Sequence, residues 1–416
     1  MTIDLTPPSD RAWASDPAAY WGQMDAALAP LDAPLAALHR GALAANAHDL
    51  LRRAEGLPIR VASKSVRVRS VLDAVLELPG YAGVLAFTLP EALWLASFEG
   101  PSSTDIVVGY PTVDRAALAR LAADERLASR VTIMVDDVAQ LDLVDAVAPA
   151  TRATVRVALE LDASYHSPTM GHIGVRRSPL RTVAEVRALA EEVARRPGFT
   201  LVGLMAYEAQ IAGLGNAGYG RGSIIRVLQR ASAAELRERR GAAVAAAREV
   251  AEAAGSPFEF VNGGGTGSIE STHADTSVTE VAAGSGLFGP HLFDHYAHFT
   301  PAPAAAFALP VVRRPTADVA TLLGGGWIAS GPAGDDRLPL PVHPAGLRYL
   351  PREGAGEVQT PVTGDAARAL AIGDRVWLRH TKAGELSEHA NVLHLVDEGR
   401  VVDELPTYRG EGQVFV

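Results

Sequence analysis

Short, nearly continuous apolar runs alternate with amphipathic helical stretches from about residue 34 to residue 284. The strand-like runs cover residues 34–39, 59–63, 81–87, 105–109, 131–135, 154–161, 201–207, 258–262 and 278–282. Most lack polar alternation, the pattern of parallel strands covered on both faces. Helical spacing fills the intervals, as at 41–54, 70–78, 90–97, 113–127 and 182–195. The longest such run, 232–254, opens on Ser-Ala-Ala-Glu, the spacing of a capping box. Eight or nine alternations over about 250 residues fit a (β/α)8 barrel in number and length. A doubly wound open sheet fits the same periodicity.

The pattern changes after Phe299. Thr-Pro-Ala-Pro-Ala-Ala-Ala at 300–306 reads as a linker, and Val/Leu runs at 306–312, 326–330, 375–379 and 392–396 sit between Gly/Pro turns. Trp13, Tyr20, Trp21 and Met24 stand among alanines near the amino terminus. The expected organisation is a helical segment at 1–30, a barrel over 31–299 and a smaller β-rich carboxyl-terminal domain over 300–416, an α/β chain overall.

Composition removes several function classes. A formal net charge of −10, without any run of basic residues, argues against nucleic acid or an acidic membrane as partner. The absence of cysteine excludes disulfides, thiolate catalysis and Cys-ligated metals. Met-Thr-Ile-Asp-Leu-Thr-Pro-Pro does not read as a secretory signal, and no apolar stretch approaches the ~20 residues of a membrane span. The expected location is the cytoplasm.

Of 38 lysines and arginines only Lys64 and Lys382 are lysine. A lysine amine can form an imine with an aldehyde and becomes nucleophilic when burial lowers its pKa. Lys64 stands where a strand-like run meets a loop. The second informative feature is Val261-Asn262-Gly263-Gly264-Gly265-Thr266-Gly267-Ser268, after roughly the seventh barrel strand. Successive glycines let backbone N–H groups converge on an anion, and Thr266 and Ser268 add hydroxyls. The run lacks the Gly-Lys-Ser/Thr ending of a nucleotide loop and the spacing of a dinucleotide fingerprint. An imine-forming lysine together with a monophosphate anchor is what pyridoxal 5′-phosphate requires.

With these residues the chain resembles the fold-type III pyridoxal-phosphate enzymes, in particular the group of D-threonine aldolase and D-serine dehydratase. The resemblance implies that residues 34–39 form the first barrel strand, that Lys64 is the Schiff-base lysine, and that Gly264-Gly265-Thr266-Gly267 holds the phosphate. Gly373-Asp374-Arg375-Val376 and Gly399-Arg400-Val401-Val402-Asp403 resemble the family's β-domain. Three departures stand out. Arg60-Val61-Ala62-Ser63 replaces an Arg-Pro-His, and His172-Ile173-Gly174-Val175 replaces an Arg-x-Gly-Val near the cofactor ring. His380-Thr381-Lys382 replaces a His-x-Cys or His-x-Asp metal pair, and a protonated lysine has no lone pair for a metal.

The expected site therefore has Lys64, His380 and Lys382 as catalytic residues, Lys382 taking over the positive charge of a divalent metal whose presence stays open. His172, Tyr207, Asn262, Gly264, Gly265, Thr266, Gly267 and Ser285 are the candidate cofactor contacts. The resemblance implies a lyase of D-β-hydroxy-amino acids, by retro-aldol cleavage or by dehydration with deamination, and a homodimer. A racemase, a non-catalytic pyridoxal-phosphate carrier, and a cofactor-free aldolase using Lys64 directly are the other readings.

Overall fold

A computed structural model describes residues 3–217 and 222–416. The chain forms two compact units: residues 1–49, 64–74 and 285–414 make one, and residues 50–63, 75–284 and 415–416 the other.

In chain order, β1 (Leu35–His39) belongs to the first unit. The second unit holds β2 (Ile59–Ala62), β3 (Tyr81–Ala86), β4 (Ile106–Val108), β5 (Val131–Val135) and β6 (Val155–Glu160). An excursion, β7 (Tyr165–Ser167) with β8 (Gly171–Ile173), precedes β9 (Phe199–Ala206), β10 (Phe260–Gly263) and β11 (Glu280–Ala283). Eight of these strands close into a barrel in the order β10-β11-β2-β3-β4-β5-β6-β9. Every neighbouring pair is parallel. A closed ring of short, apolar strands leaves no unpaired edge, so the open sheet is not what these residues form. Val107, Met134, Ala158, Val202, Met205 and Phe260 pack together as an apolar cluster. Beside them Arg60 is buried against Glu280 at 2.6 and 2.9 Å and Asp105 at 3.0 Å.

The first unit is built on a nine-stranded sheet. It contains β12 (Ala305–Thr316), β13 (Val319–Leu323), β14 (Leu340–His343), β15 (Arg348–Tyr349), β16 (Gln359–Thr363), β17 (Arg375–Arg379), β18 (Val392–Asp397) and β19 (Arg400–Pro406). The helices Ala12–Ser15 and Pro17–Ala27 precede it in sequence. Tyr20, Trp21, Met24 and Leu28 bury their side chains with Leu35, Ala306 and Trp377, and the Trp377 indole donates to Asp25 at 2.9 Å. Trp327, preceded by three glycines, stacks on Phe307 with ring centroids 3.9 Å apart.

Four sequence expectations change. Residues 34–39 do not form a barrel strand: β1 pairs antiparallel with β12 and parallel with β18. An apolar run fits the middle of either sheet equally well, and the first barrel strand is instead β2, which ends two residues before Lys64. Residues 326–330 are not a strand. The helix expected from 232 begins earlier, running Gly222–Ala253, so Ser232 lies inside it rather than capping it. The helix expected over 113–127 is two, Arg115–Ala123 and Glu125–Arg130, because Asp124 leaves helical geometry and its side chain accepts from the Leu127 N–H at 3.0 Å.

Candidate active site

In a parallel barrel the segments that follow the strands all leave from one rim. β10, β11 and β2 are consecutive neighbours in the ring. From their carboxyl ends the chain continues into Gly264–Gly267, Gly284–Ser285 and Ser63–Lys64 respectively. The lysine and the glycine loop, some two hundred positions apart in sequence, therefore begin from strand ends separated by a single strand.

Three successive glycines, Gly263 to Gly265, have a steric reason. A Cβ at Gly263 would collide with the Arg240 guanidinium, and one at Gly264 would lie 2.7 Å from the Thr272 hydroxyl. Gly264 also has φ +76°, a left-handed conformation that favours glycine. At Gly265 a Cβ would sit 3.0 Å from Ala212 and 3.3 Å from the Tyr207 ring. Beneath the loop lies a buried polar network. Glu208 accepts from the Gly264 N–H at 3.1 Å and from the Thr272 hydroxyl at 2.6 Å. Arg240 reaches Glu208 at 3.7 Å and Asp275 at 3.0 Å. Ser268 accepts from the Gly265 N–H at 3.1 Å, and the buried Thr266 offers its carbonyl to Arg53 at 2.7 Å.

The other expected contacts divide. Tyr207 lies against the loop, its phenol pushed up to about 12 by burial and by Tyr110, with Arg177 opposing. Asn262 is buried at the end of β10, and its amide donates to Glu280 at 2.9 Å within the barrel. His172 is half-buried on the β7–β8 hairpin, one ring nitrogen 3.2 Å from His166. Ser285 opens the short helix Ser285–Phe288 and is half-buried.

Lys64 occupies a tight turn, Ser63–Ser65, and is half-buried. Its carbonyl accepts from the Arg67 Nε at 2.8 Å, and Arg67, with φ 53°, forms an ion pair with Glu388. Ser387 donates to the Val66 carbonyl at 2.8 Å. A Cβ at Gly384 would overlap the Lys64 carbonyl oxygen, so the segment after Lys382 is seated directly on the lysine's turn. His380 is 1 % exposed, with neither ring nitrogen in a well-formed hydrogen bond. Burial pushes its imidazole down to about 4, and Glu385 opposes this. The Lys382 ammonium donates to the Ser330 carbonyl at 3.2 Å, while Glu385 accepts from the Lys382 N–H at 2.5 Å. Among the described residues no three His, Asp or Glu side chains are placed to hold a metal ion.

Sequence reading did not single out Glu160, Arg177, Arg240, Thr272 or Asp275. Glu160 ends β6 and is buried, its carboxyl raised to about 7 by burial first and Asp136 next, with Arg177 opposing. The folded protein thus holds this proton more tightly than an unfolded chain does, so its contribution to stability falls as pH rises through about 4.5 to about 7. Glu160→Gln, which resembles the protonated form, is expected to be neutral at pH 4 and to stabilise by about 1–3 kcal/mol at pH 8. Urea titrations at the two pH values test this; an equal effect at both would sink it.

No helix among the described residues is long and apolar enough to cross a membrane. The family model for the alanine racemase N-terminal domain matches residues 38–291. D-threonine aldolase of an Arthrobacter species is 27 % identical over 261 residues, 63 % of this chain and 59 % of that protein. 3-Hydroxy-D-aspartate aldolase of Paracoccus denitrificans is 27 % identical over 248 residues, 59 % of this chain and 54 % of its own. The matched segment thus spans less than two thirds of these curated relatives. The crystal structure of D-threonine aldolase from Filomicrobium marinum has the same fold, with a TM-score of 0.71 at 20 % identity, covering 92 % of this chain and 96 % of that one.

Proposed function

The chain belongs to the alanine racemase N-terminal domain family, and from that premise we propose that it is a pyridoxal-phosphate-dependent lyase of D-β-hydroxy-amino acids. The observation that carries this reading is the adjacency of strand ends: the segments bearing Lys64 and the glycine loop start from one rim of a closed barrel with only β11 between them. The loop suits a phosphate because its glycines bring backbone close to Tyr207 and Thr272 without side chains of their own. Two curated relatives that act on D-β-hydroxy-amino acids by name point the same way.

Bound pyridoxal phosphate would supply an electron sink for a bond broken at the substrate Cα. Lys64 would hold the cofactor covalently, and Gly264, Gly265, Thr266 and Gly267, with Ser285, would hold its phosphate. Tyr207, backed by Gly265, would flank it, with Asn262 and His172 as outer contacts. His380, uncharged at neutral pH, would accept the proton of a β-hydroxyl as a weak base, its imidazole being pushed down by burial. The positive charge of Lys382, two residues on, would favour the developing oxyanion, a role that requires it to leave the Ser330 carbonyl. Taking the β-hydroxyl proton leads to aldol cleavage; removal of the Cα proton with departure of that hydroxyl as water leads to dehydration, and hydrolysis of the resulting enamine gives a keto acid and ammonia. The reading includes a homodimer, as the family resemblance implies, and the cytoplasmic location expected from the sequence.

The test is incubation of the purified protein with D-threonine and D-serine. Glycine with acetaldehyde from D-threonine marks cleavage, and pyruvate with ammonia from D-serine marks dehydration. Neither pair from a broad panel of D-β-hydroxy-amino acids would refute the proposal.

A further inference from the structure

Arg177 lies at the barrel rim between two aromatic rings. Its guanidinium carbon stands 5.7 Å from the Tyr110 centroid and 5.5 Å from that of Tyr207. Tyr110 follows β4 and Tyr207 follows β9, so the side chain bridges the rim above the ends of β5 and β6. Among the described residues no hydrogen bond or ion pair engages its five N–H donors, although the chain's other arginines commonly pair with carboxylates. Aromatic faces hold a guanidinium in place through its π-surface and leave its N–H edge open, and that edge matches a carboxylate in bidentate fashion.

The acids around it do not supply that partner. Glu160 feels the charge of Arg177, but no hydrogen bond or ion pair joins the two, and burial followed by Asp136 raises its carboxyl to about 7. Asp162, which also acts on Glu160, is engaged by Arg181 at 3.0 Å and by the Ser164 hydroxyl at 2.7 Å. Tyr207 links this cation to the glycine loop: one face meets Arg177, and its edge lies 3.3 Å from where a Gly265 Cβ would stand. The open guanidinium is therefore one aromatic ring away from the loop.

We propose that Arg177 is the substrate-binding residue for a carboxylate of the amino acid, held between Tyr110 and Tyr207 beside the glycine loop. This rests on the proposed lyase reading and adds the group that the substrate must carry. Either the α-carboxylate or the side-chain carboxylate of a hydroxy-dicarboxylic amino acid supplies the same chemistry.

The test compares wild-type holoenzyme with Arg177→Met and Arg177→Lys, using D-threonine, its amide and 3-hydroxy-D-aspartate. Arg177→Met is expected to raise KM for carboxylate substrates about 10- to 100-fold, the scale of a lost charge-assisted hydrogen-bond pair, with kcat changed about threefold or less. D-Threoninamide is expected to show no such rise, and Arg177→Lys to recover part of the loss. An equal rise for both acids assigns the α-carboxylate, and a rise for 3-hydroxy-D-aspartate alone assigns the side-chain carboxylate. A second readout needs no turnover: calorimetric titration with 3-hydroxybutyrate, which has a carboxylate but no amine, should show binding in wild type and none in Arg177→Met. Unchanged KM values with unchanged 3-hydroxybutyrate binding overturn the assignment. Should wild type turn over no D-β-hydroxy-amino acid, the lyase reading fails, and the titration still decides Arg177 by itself.

Discussion

Lys64→Ala is expected to lower turnover by about 10³-fold or more, the scale for a group that anchors a cofactor covalently and also carries protons. The fold should survive, because the turn is held through its backbone: the Lys64 carbonyl on Arg67, the Val66 carbonyl on Ser387, and the Arg67–Glu388 ion pair. A thermal melt within a few degrees of wild type checks that. The chemical readout is borohydride reduction of the pyridoxal-phosphate-loaded protein followed by peptide mass spectrometry. Wild type and Lys382→Met should carry the pyridoxyl label on the peptide containing Lys64, and Lys64→Ala should carry none. With only two lysines in the chain, the label has only one other lysine to occupy. A label on Lys382, or full activity in Lys64→Ala, would refute the role given to Lys64.

Much of the barrel was legible because its signal is local. Continuous apolar runs of four to eight residues mark strands buried on both faces, and the eight barrel strands match such runs with ends shifted by two residues at most. Membership in one sheet or another is not local. Residues 34–39 have the same apolar character as β5, yet their partners, β12 and β18, lie far along the chain. The glycine loop was visible as composition, whereas the reason for Gly263 to Gly265 was not: Arg240 comes from the long helix and Thr272 from the short helix Ile269–His273 beyond the loop. Arg240 stands in Arg237-Glu238-Arg239-Arg240, where spacing does not say which arginine turns inward. Arg177 was equally hidden, since Val175-Arg176-Arg177 reads as solvated charge until the ends of β4 and β9 bring two tyrosines to it. The rarity of lysine pointed to Lys64 and Lys382 alike, but the carbonyl of Ser330 that receives the second is set by a loop without periodicity.

Arg240→Met should combine the loss of stability with the loss of cofactor affinity, and the reason is electrostatic. Arg240, Glu208 and Asp275 have side chains 3, 2 and 2 % exposed, so removing the cation leaves two carboxylates without a counter-charge in the interior. Breaking a buried pair in this way costs about 3–5 kcal/mol. Glu208 would then lose the cation that holds it toward the Gly264 N–H and the Thr272 hydroxyl it now binds. Both contacts shape the loop, so the affinity for pyridoxal phosphate should fall about 10- to 100-fold, the scale of one or two charge-assisted hydrogen bonds. Adding Glu208→Gln to Arg240→Met removes one stranded charge, so the double variant should be at least about 1 kcal/mol more stable than the sum of the single effects. It should not regain affinity, since an amide does not restore two acceptors. Urea denaturation of the four proteins measures the first effect and fluorescence titration with pyridoxal phosphate the second. Strict additivity would mean that Arg240 stabilises the protein independently of Glu208. Unchanged cofactor affinity in Arg240→Met would mean that the network beneath the loop does not govern its shape.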